Sequence, residues 1–429
     1  MRILFISASP LKKEISIGNT FLNLFSGVEN VEIASIYTRA GKPDTSVSQS
    51  FCITEKMLIK NLLRKGCAGE RVERTPAEKN AKVTAKDSKS VSFAKKHRWT
   101  VLFWLQALIW RIGRWQTQEL RDFIKDFQPD IVFTVLSSTT FLNRLILHVQ
   151  DVAKVPLVLY AWDDNYSMKR IMLSPLRWIH HFINRKMMRK VVKKADLLYT
   201  ISEVQKNDYE KAFHRECKVL TKGADFSGEP KISVEHNKPL QLIYTGNIGL
   251  NRWKSLAHIA NVLEKINQDG IKAQLRIYSG NALDGRMRKA LNRGESSCFM
   301  GSVSADAVAA LQASADILVH VEPTDLKNKL SFRQSFSTKL VDYFHQAKAI
   351  LAYGPKDVAS IAHLIMHEAA IWAEDEGALE TKIRELCAQP KQLNVYAIRA
   401  WECGKNNHCR EAQQRMLLGD IEVVMQREK

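Results

Sequence analysis

The sequence predicts an α/β protein made of two doubly wound, Rossmann-like domains facing a central cleft. Three observations carry this. Short apolar strand runs alternate with helical stretches through both halves of the chain, the pattern of a parallel sheet covered on both faces. A polar, proline-containing segment at 227–239, SGEPKISVEHNKP, separates the halves. The 429 residues suffice for about two domains of ordinary size.

Taken in order, Arg2–Ser7 reads as a buried strand and VEIASIYT at 31–38 as a second. DIVFTVL at 130–136 follows a proline, and VPLVLY at 155–160 follows a helix that begins near Thr139. Between 66 and 97 the alternation gives way to a charged run poor in large apolar residues, which reads as a mobile surface insertion. At 195–226, ADLLYTISEVQKNDYEKAFHRECKVLTKGADF, a strand leads into a helix near Glu203 capped by Ser202, then into a second strand. Gly223 supplies conformational freedom where the chain leaves that strand. Beyond the linker, strands fall at Leu240–Thr245, Ala273–Tyr278, 298–300, Ile317–Val321 and 349–352. The predicted domains are 1–226 and 240–377, with a helical region at 378–429.

Charge narrows the partners. The formal net charge of +19 asks for an anionic environment: nucleic acid, a membrane surface or a phosphorylated ligand. Neither an aromatic RNA-binding motif nor a Cys/His zinc spacing is present, so no nucleic acid partner is expected. Seven scattered cysteines fit a reducing compartment, and MRILFISASP is not a signal peptide, which predicts a cytoplasmic protein. Cys403, His408 and Cys409 lack a fourth ligand at zinc spacing, so no metal site is expected. The aromatic stretch WTVLFWLQALIWRIGRW at 99–115 is too short and interrupted to span a bilayer. With the basic run Arg185, Lys186, Arg189, Lys190, Lys193 and Lys194, it reads either as a domain-packing helix with a solvated basic face or as a peripheral anchor on an anionic membrane.

Two segments have the chemistry of a phosphate site. In YTGNIGLNRWKSL, Gly246, Asn247 and Gly249 form a loop directly after a strand, with Arg252 and Lys254 at the start of a helix, so that backbone N–H groups and cations reach an anion together. In SFRQSFSTKLVDYFHQAKAILAYG, Phe336, Ser337 and Thr338 form the amino end of a helix, and Lys339 and Asp342 lie three apart on it. His320 and Glu322 end a strand and point toward the cleft, and Gly280 and Asn281 form a similar strand-end turn. Gly18 sits in an IGNT helix start, and Asp163 and Asp164 follow the strand VPLVLYA in WDDN.

These segments, in this order, resemble glycosyltransferases of the GT-B fold, family 4 in particular. Ser202, Gly223 and Asp225 match the family's junction between domains, the 244–256 loop its donor diphosphate loop, and the 331–354 segment its most specific donor signature. The resemblance implies a nucleotide-diphosphate sugar donor, a lipid-linked or saccharide acceptor, retention of configuration, no cofactor and no obligatory metal. It implies that Asp342 holds the ribose, that Gly280 lies near the base and that Gly18 approaches the donor phosphate. The candidate catalytic residues are Asp163, Asp164, Lys254 and Gln334. Three departures stand out: Asn247 stands where the family often has Arg after the first loop glycine, with Arg252 as the substitute cation, Gln334 replaces the first carboxylate of the family's paired glutamates, and the histidine usual beside the acceptor-side Asp is absent. A nucleotide-sugar epimerase or hydrolase, or a noncatalytic binding subunit of the same fold, are the alternative readings.

Overall fold

In the computed structural model, which describes residues 1–13, 15–72 and 100–427, the chain forms two mostly parallel sheets. The first contains β1 (Arg2–Ser7), β2 (Glu32–Tyr37), β3 (Gln49–Cys52), β4 (Glu70–Val72), β5 (Ile131–Val135), β6 (Leu157–Ala161), β7 (Leu197–Thr200) and β8 (Lys218–Val219), in the order β4-β3-β2-β1-β5-β6-β7-β8. Only β4 runs antiparallel to its neighbour. The second contains β9 (Leu240–Thr245), β10 (Ala273–Tyr278), β11 (Ser297–Gly301), β12 (Ile317–Val321), β13 (Ala349–Tyr353) and β14 (Ile371–Ala373), in the order β11-β10-β9-β12-β13-β14.

The central strands are apolar on both faces because helices cover both faces; β5, β6, β12 and β13 are buried at every residue. Register follows from that burial, with Phe5 beside Phe133 and Leu318 beside Ile350. In each sheet the strand order reverses beside the first strand, between β1 and β5 and between β9 and β12. A doubly wound sheet opens a crevice at such a switch point, at the carboxyl ends of the strands.

Three strands, β3, β4 and β14, have no counterpart in the sequence reading. All are short and lie at or next to a sheet edge, where burial on two faces no longer imposes an apolar run. β4 falls at the start of the stretch read as an insertion, so 70–72 is ordered sheet; residues 73–99 of that stretch lie outside the described residues. Ser202 caps the Glu203–Phe213 helix, its Oγ accepting from the Gln205 N–H at 3.2 Å. Gly223 is required for a different reason than turn freedom. A Cβ there would lie 2.4 Å from the Cα of Arg410, because two chain segments cross at this point. The crossing is tied by Ala224 N–H to His408 O and Arg410 N–H to Ala224 O, each 2.9 Å. Beyond it the Arg410–Arg427 helix lies on the first sheet, where Asp420 accepts from Tyr199 Oη at 2.7 Å and from Lys218 Nζ at 2.5 Å.

Candidate functional site

A cavity of about 610 Å³ opens where the two switch points face each other. Its first-domain wall is Ser7, Ser9, Thr20, Arg39, Ser138, Trp162 and Asp163; its second-domain wall is Arg252, Glu322, Ser335, Phe336, Ser337 and Thr338. Every strand-end position named here follows from topology: Ser7 closes β1, Glu322 follows β12, and Asp163 lies two residues after β6.

Of the two acceptor-side carboxylates, Asp163 lines this cavity. Its Oδ1 is 3.5 Å from Ser335 Oγ on the opposite domain, and Gln205 Nε2 donates to its backbone carbonyl at 3.0 Å. Desolvation by the cavity walls raises its pKa above the ordinary carboxylate value, against the charge of Arg170. Asp164 is wholly buried instead. It closes a turn by accepting from Ser167 N–H at 2.9 Å, so it supports the loop and does not line the cavity.

On the second-domain wall, Arg252 is the cation that faces in. Its Nη2 pairs with Glu322 Oε2 at 2.9 Å, its Nε with the same oxygen at 3.2 Å, and its guanidinium covers the Phe332 ring. Ser360 Oγ donates to Glu322 Oε1 at 3.1 Å and meets His320 Nε2 at 3.1 Å. His320 is fully buried behind Glu322, and its pKa lies well below the ordinary value, first through desolvation and then through Lys339 and Arg252. It therefore positions Glu322 as a neutral ring and does not itself point into the cleft as the sequence suggested. Lys254 is exposed, its ammonium beside the Trp253 ring, and it does not line the cavity; the helix turn that brings Arg252 inward carries Lys254 out.

Lys339 lies beneath this wall with Nζ 4.1 Å from the Tyr244 ring centroid. A Cβ on Gly246 would stand 3.4 Å from Nζ, so the glycine leaves room for the ammonium. Burial, then repulsion from Arg252, pushes the Lys339 pKa down to about 7. The loop N–H groups are less available than the glycine pattern implies. Gly246 N–H bonds Tyr278 O at 3.0 Å, Ile248 N–H bonds Asn281 Oδ1 at 3.1 Å, and Gly249 N–H bonds Asn247 Oδ1 at 2.6 Å. Side chains, not loop N–H groups, therefore face this part of the cavity: Arg252, Ser337 and Thr338 line it, with Lys339 behind them.

Four further residues sit differently from the sequence expectation. Gln334 is fully buried and turned away from the cavity, its Nε2 donating to Asp208 Oδ2 at 2.6 Å. Asp342 accepts from Lys222 at 2.7 Å and lines a second interdomain cavity of about 810 Å³, with Asn23, Gln312 and Arg410; the Ser16–Leu24 helix lines both spaces, Thr20 in the first and Asn19 and Asn23 in the second. Gly18 is buried because its Cβ would meet Lys12 O at 2.1 Å, so it serves a close backbone approach. Gly280 is exposed and touches neither cavity, while its neighbour Asn281 anchors the 246–249 loop. The sequence reading missed Arg39, Ser335 and Thr20; position directly after a strand was a usable signal for Arg39, which follows β2. Among the described residues, no group of three or more His, Cys, Asp or Glu side chains could hold a metal ion.

No protein-family model matches the chain, and no curated protein matches it by sequence. Solved structures do. HepE from Anabaena in complex with UDP superposes with a TM-score of 0.62 at 13% identity, covering 99% of this chain and 100% of that one. Sucrose-phosphate synthase from Thermosynechococcus elongatus gives 0.62 at 11% identity over 100% of both chains. A glycosyltransferase from Rickettsia africae gives 0.58 at 13% identity, over 99% of this chain and 98% of that one. With two parallel-sheet domains enclosing a cleft at their switch points, the chain has the fold of the GT-B glycosyltransferases.

Proposed function

We propose that the protein is a glycosyltransferase that moves a sugar from a nucleotide-diphosphate donor to a lipid-linked or saccharide acceptor, with retention of configuration, in bacterial surface-polysaccharide assembly. The observation that carries it is the opposition of Asp163 on one domain to Arg252, Ser337 and Thr338 on the other across one cavity, with Lys339 behind them. HepE binds UDP and UDP-glucose in its solved complexes, which favours a uridine nucleotide here.

In this reading the diphosphate lies against Arg252 and Lys339, whose charges stabilise the departing nucleotide as the glycosidic bond breaks. Glu322 and the buried His320 and Ser360 hold Arg252 in place. Asp163 orients the acceptor hydroxyl and takes its hydrogen bond. Lys222 and Asp342, at the second cavity, stand where the nucleoside end of the donor would extend, with the ribose displacing Lys222 from Asp342. The family-4 resemblance, the cytoplasmic location and a peripheral place on an anionic membrane belong to the same reading.

Thermal-shift screening of nucleoside diphosphates and their sugars tests it first, since a ligand selective for the native state raises the melting temperature. Transfer of a labelled sugar from the stabilising donor to an acceptor supports the proposal. Release of free sugar without acceptor indicates a hydrolase, and donor binding without turnover indicates the binding subunit that Gln334 also permits.

A further inference from the structure

We propose that a cavity on the first domain, between the Thr100–Ile112 and Pro175–Lys194 helices, holds the phosphate of a membrane lipid phosphate and thereby presents the lipid-borne acceptor to the Asp163 cavity. This rests on the glycosyltransferase reading above and deepens it by assigning the acceptor class and its entry.

The cavity has a volume of about 260 Å³ and is bounded by Phe103, Trp104, Arg170, His180 and Asn184. At its inner end, Ser138 and Asn165 line both this cavity and the one containing Asp163. A headgroup seated here therefore projects its far end toward Asp163. The walls carry two buried donors with no hydrogen-bond partner, Trp104 Nε1 and Arg170 Nε. Buried donors without partners are rare in folded proteins, and two in one cavity call for an acceptor-rich ligand. A phosphate oxygen fits both, and the permanent charge of Arg170 favours an anion. His180 does not compete for that role: burial lowers its pKa, so its ring faces the cavity neutral, edge-on to Trp104.

The outer end selects a lipid. Among the described residues, Leu105, Leu108 and Ile112 form an exposed stripe on one helix, and Ile179, Phe182 and Ile183 form another on its neighbour. Leu173, two residues before the second of these helices, is 92% exposed. A contiguous apolar face of this kind marks an interaction surface. The Pro175–Lys194 helix adds the exposed cations Lys186, Lys190 and Lys193, which complement anionic headgroups, while Lys194 pairs with Asp151. Among the described residues, no helix is long and apolar enough to cross a membrane, so the contact is with the surface of one leaflet. The mode of contact differs from an aromatic anchor. Trp110 and Trp115 are buried in the core, Trp110 stacked on Phe141, and Trp99 lies outside the described residues, so leucine, isoleucine and phenylalanine side chains make the exposed face.

Calorimetric titration of the full chain with dodecyl phosphate below its micelle concentration, beside inorganic phosphate and dodecanol, tests the site. Dodecyl phosphate should bind at least about tenfold more tightly than either fragment. Arg170→Gln should weaken it about tenfold, the scale of one charged hydrogen bond, and Trp104→Phe should weaken it several-fold while keeping the ring. Affinity for UDP should be unchanged in both variants. Inorganic phosphate binding as tightly as the alkyl phosphate, or undiminished binding by both variants, would overturn the proposal. So would equal loss of UDP affinity in both, which would mark the residues as structural. If wild-type protein binds dodecyl phosphate through Arg170 but binds no nucleotide, the glycosyltransferase reading fails and the lipid-phosphate site stands. Vesicles of phosphatidylcholine with hexadecyl phosphate should recruit the protein more strongly than vesicles with equal phosphatidylserine; equal recruitment would reduce the surface to a charge effect and overturn the headgroup assignment.

Discussion

The Gln334 amide and the Asp208 carboxylate join the two domains through a 2.6 Å hydrogen bond, with Arg333 paired to the same oxygen of Asp208 and Ser202 Oγ donating to the Gln334 carbonyl at 2.7 Å. This explains why an amide stands where a carboxylate is usual. Gln334→Glu should be destabilising by about 1–3 kcal/mol, because it sets two carboxylates against each other at a buried contact. It should not increase transfer activity. A lowered urea midpoint without an activity gain is the expected outcome; a more active, equally stable variant would contradict the placement.

Lys339 gives a pH signature. Its pKa of about 7 should rise beside a bound diphosphate, so that binding takes up a proton above neutrality. Affinity for a nucleotide-diphosphate sugar should fall as pH rises from about 7 to 9, by at most about tenfold per unit, and the profile of Lys339→Met should be flat. Stability carries the opposite sign. The unfolded chain, with an ordinary lysine, binds more protons than the native state above pH 7, so this group makes the apoprotein more stable as pH rises toward 10. Lys339→Met should melt higher than wild type at pH 7.

Asp163 and Asp164 are adjacent but should separate cleanly by assay. Asp163→Asn should reduce transfer by roughly a hundredfold, in the range of acid–base groups, with donor affinity retained. Asp164→Ala should instead lower the melting temperature, since it strands the Ser167 N–H. Because the Asp163 pKa is raised, activity should decline with acidification at a higher pH than an aspartate of ordinary pKa would produce. An activity loss confined to the Asp164 variant would reverse the assignment.

Acid should loosen the domain crossing. His408 is buried between Thr221 Oγ1 at 2.9 Å and His363 Nε2 at 3.1 Å, and Phe336 stacks on it. Desolvation drops the His363 pKa to about 3 and holds His408 well below its ordinary value. Below about pH 6.5 the unfolded chain gains protons that the native state refuses, so stability falls as pH drops from there toward 3. Urea unfolding at pH 7.5 and 5 should show the loss, and His363→Gln should reduce it.

Membrane recruitment should follow charge. Lys190, Lys193 and Lys194 replaced together by Glu should weaken sedimentation with anionic vesicles markedly, since each cation near such a surface contributes about 1 kcal/mol. Added salt should weaken wild-type binding without abolishing it, because the exposed leucines and isoleucines are insensitive to screening. Equal recovery on neutral vesicles would remove the electrostatic part.

The legible parts of this molecule are those where one cause dominates. β1, β9, β10 and β12 match their sequence runs end to end: β1, β9 and β12 because nearly every residue is buried between covering helices, β10 because its buried and half-buried residues alternate with the strand period. β3 and β14 escaped notice because a strand of three or four residues at or next to a sheet edge is set by its neighbours' hydrogen bonds. Site residues divide the same way. Glu322 and Asp163 were accessible from strand-end position and Arg252, Ser337 and Thr338 from helix starts, whereas the inward turn of Arg252 over Lys254 depends on how the Arg252–Ile266 helix starts. Gln334 was noticed as a departure, but its partner Asp208 lies 126 positions away, and no local pattern joins them.

The pairing of Asp420 with Tyr199 and Lys218 has a consequence for synthesis. The first sheet has all its strands once Val219 is made, yet the helix that covers its β7 edge arrives about 200 residues later, roughly 10–40 s on at ordinary elongation rates. Throughout that interval the domain made first is the one left uncovered, and the second domain can close before it. A nascent chain arrested near residue 380 should therefore expose the β7 and β8 surface to chaperones and proteases, and a separately supplied 390–429 peptide should shield it.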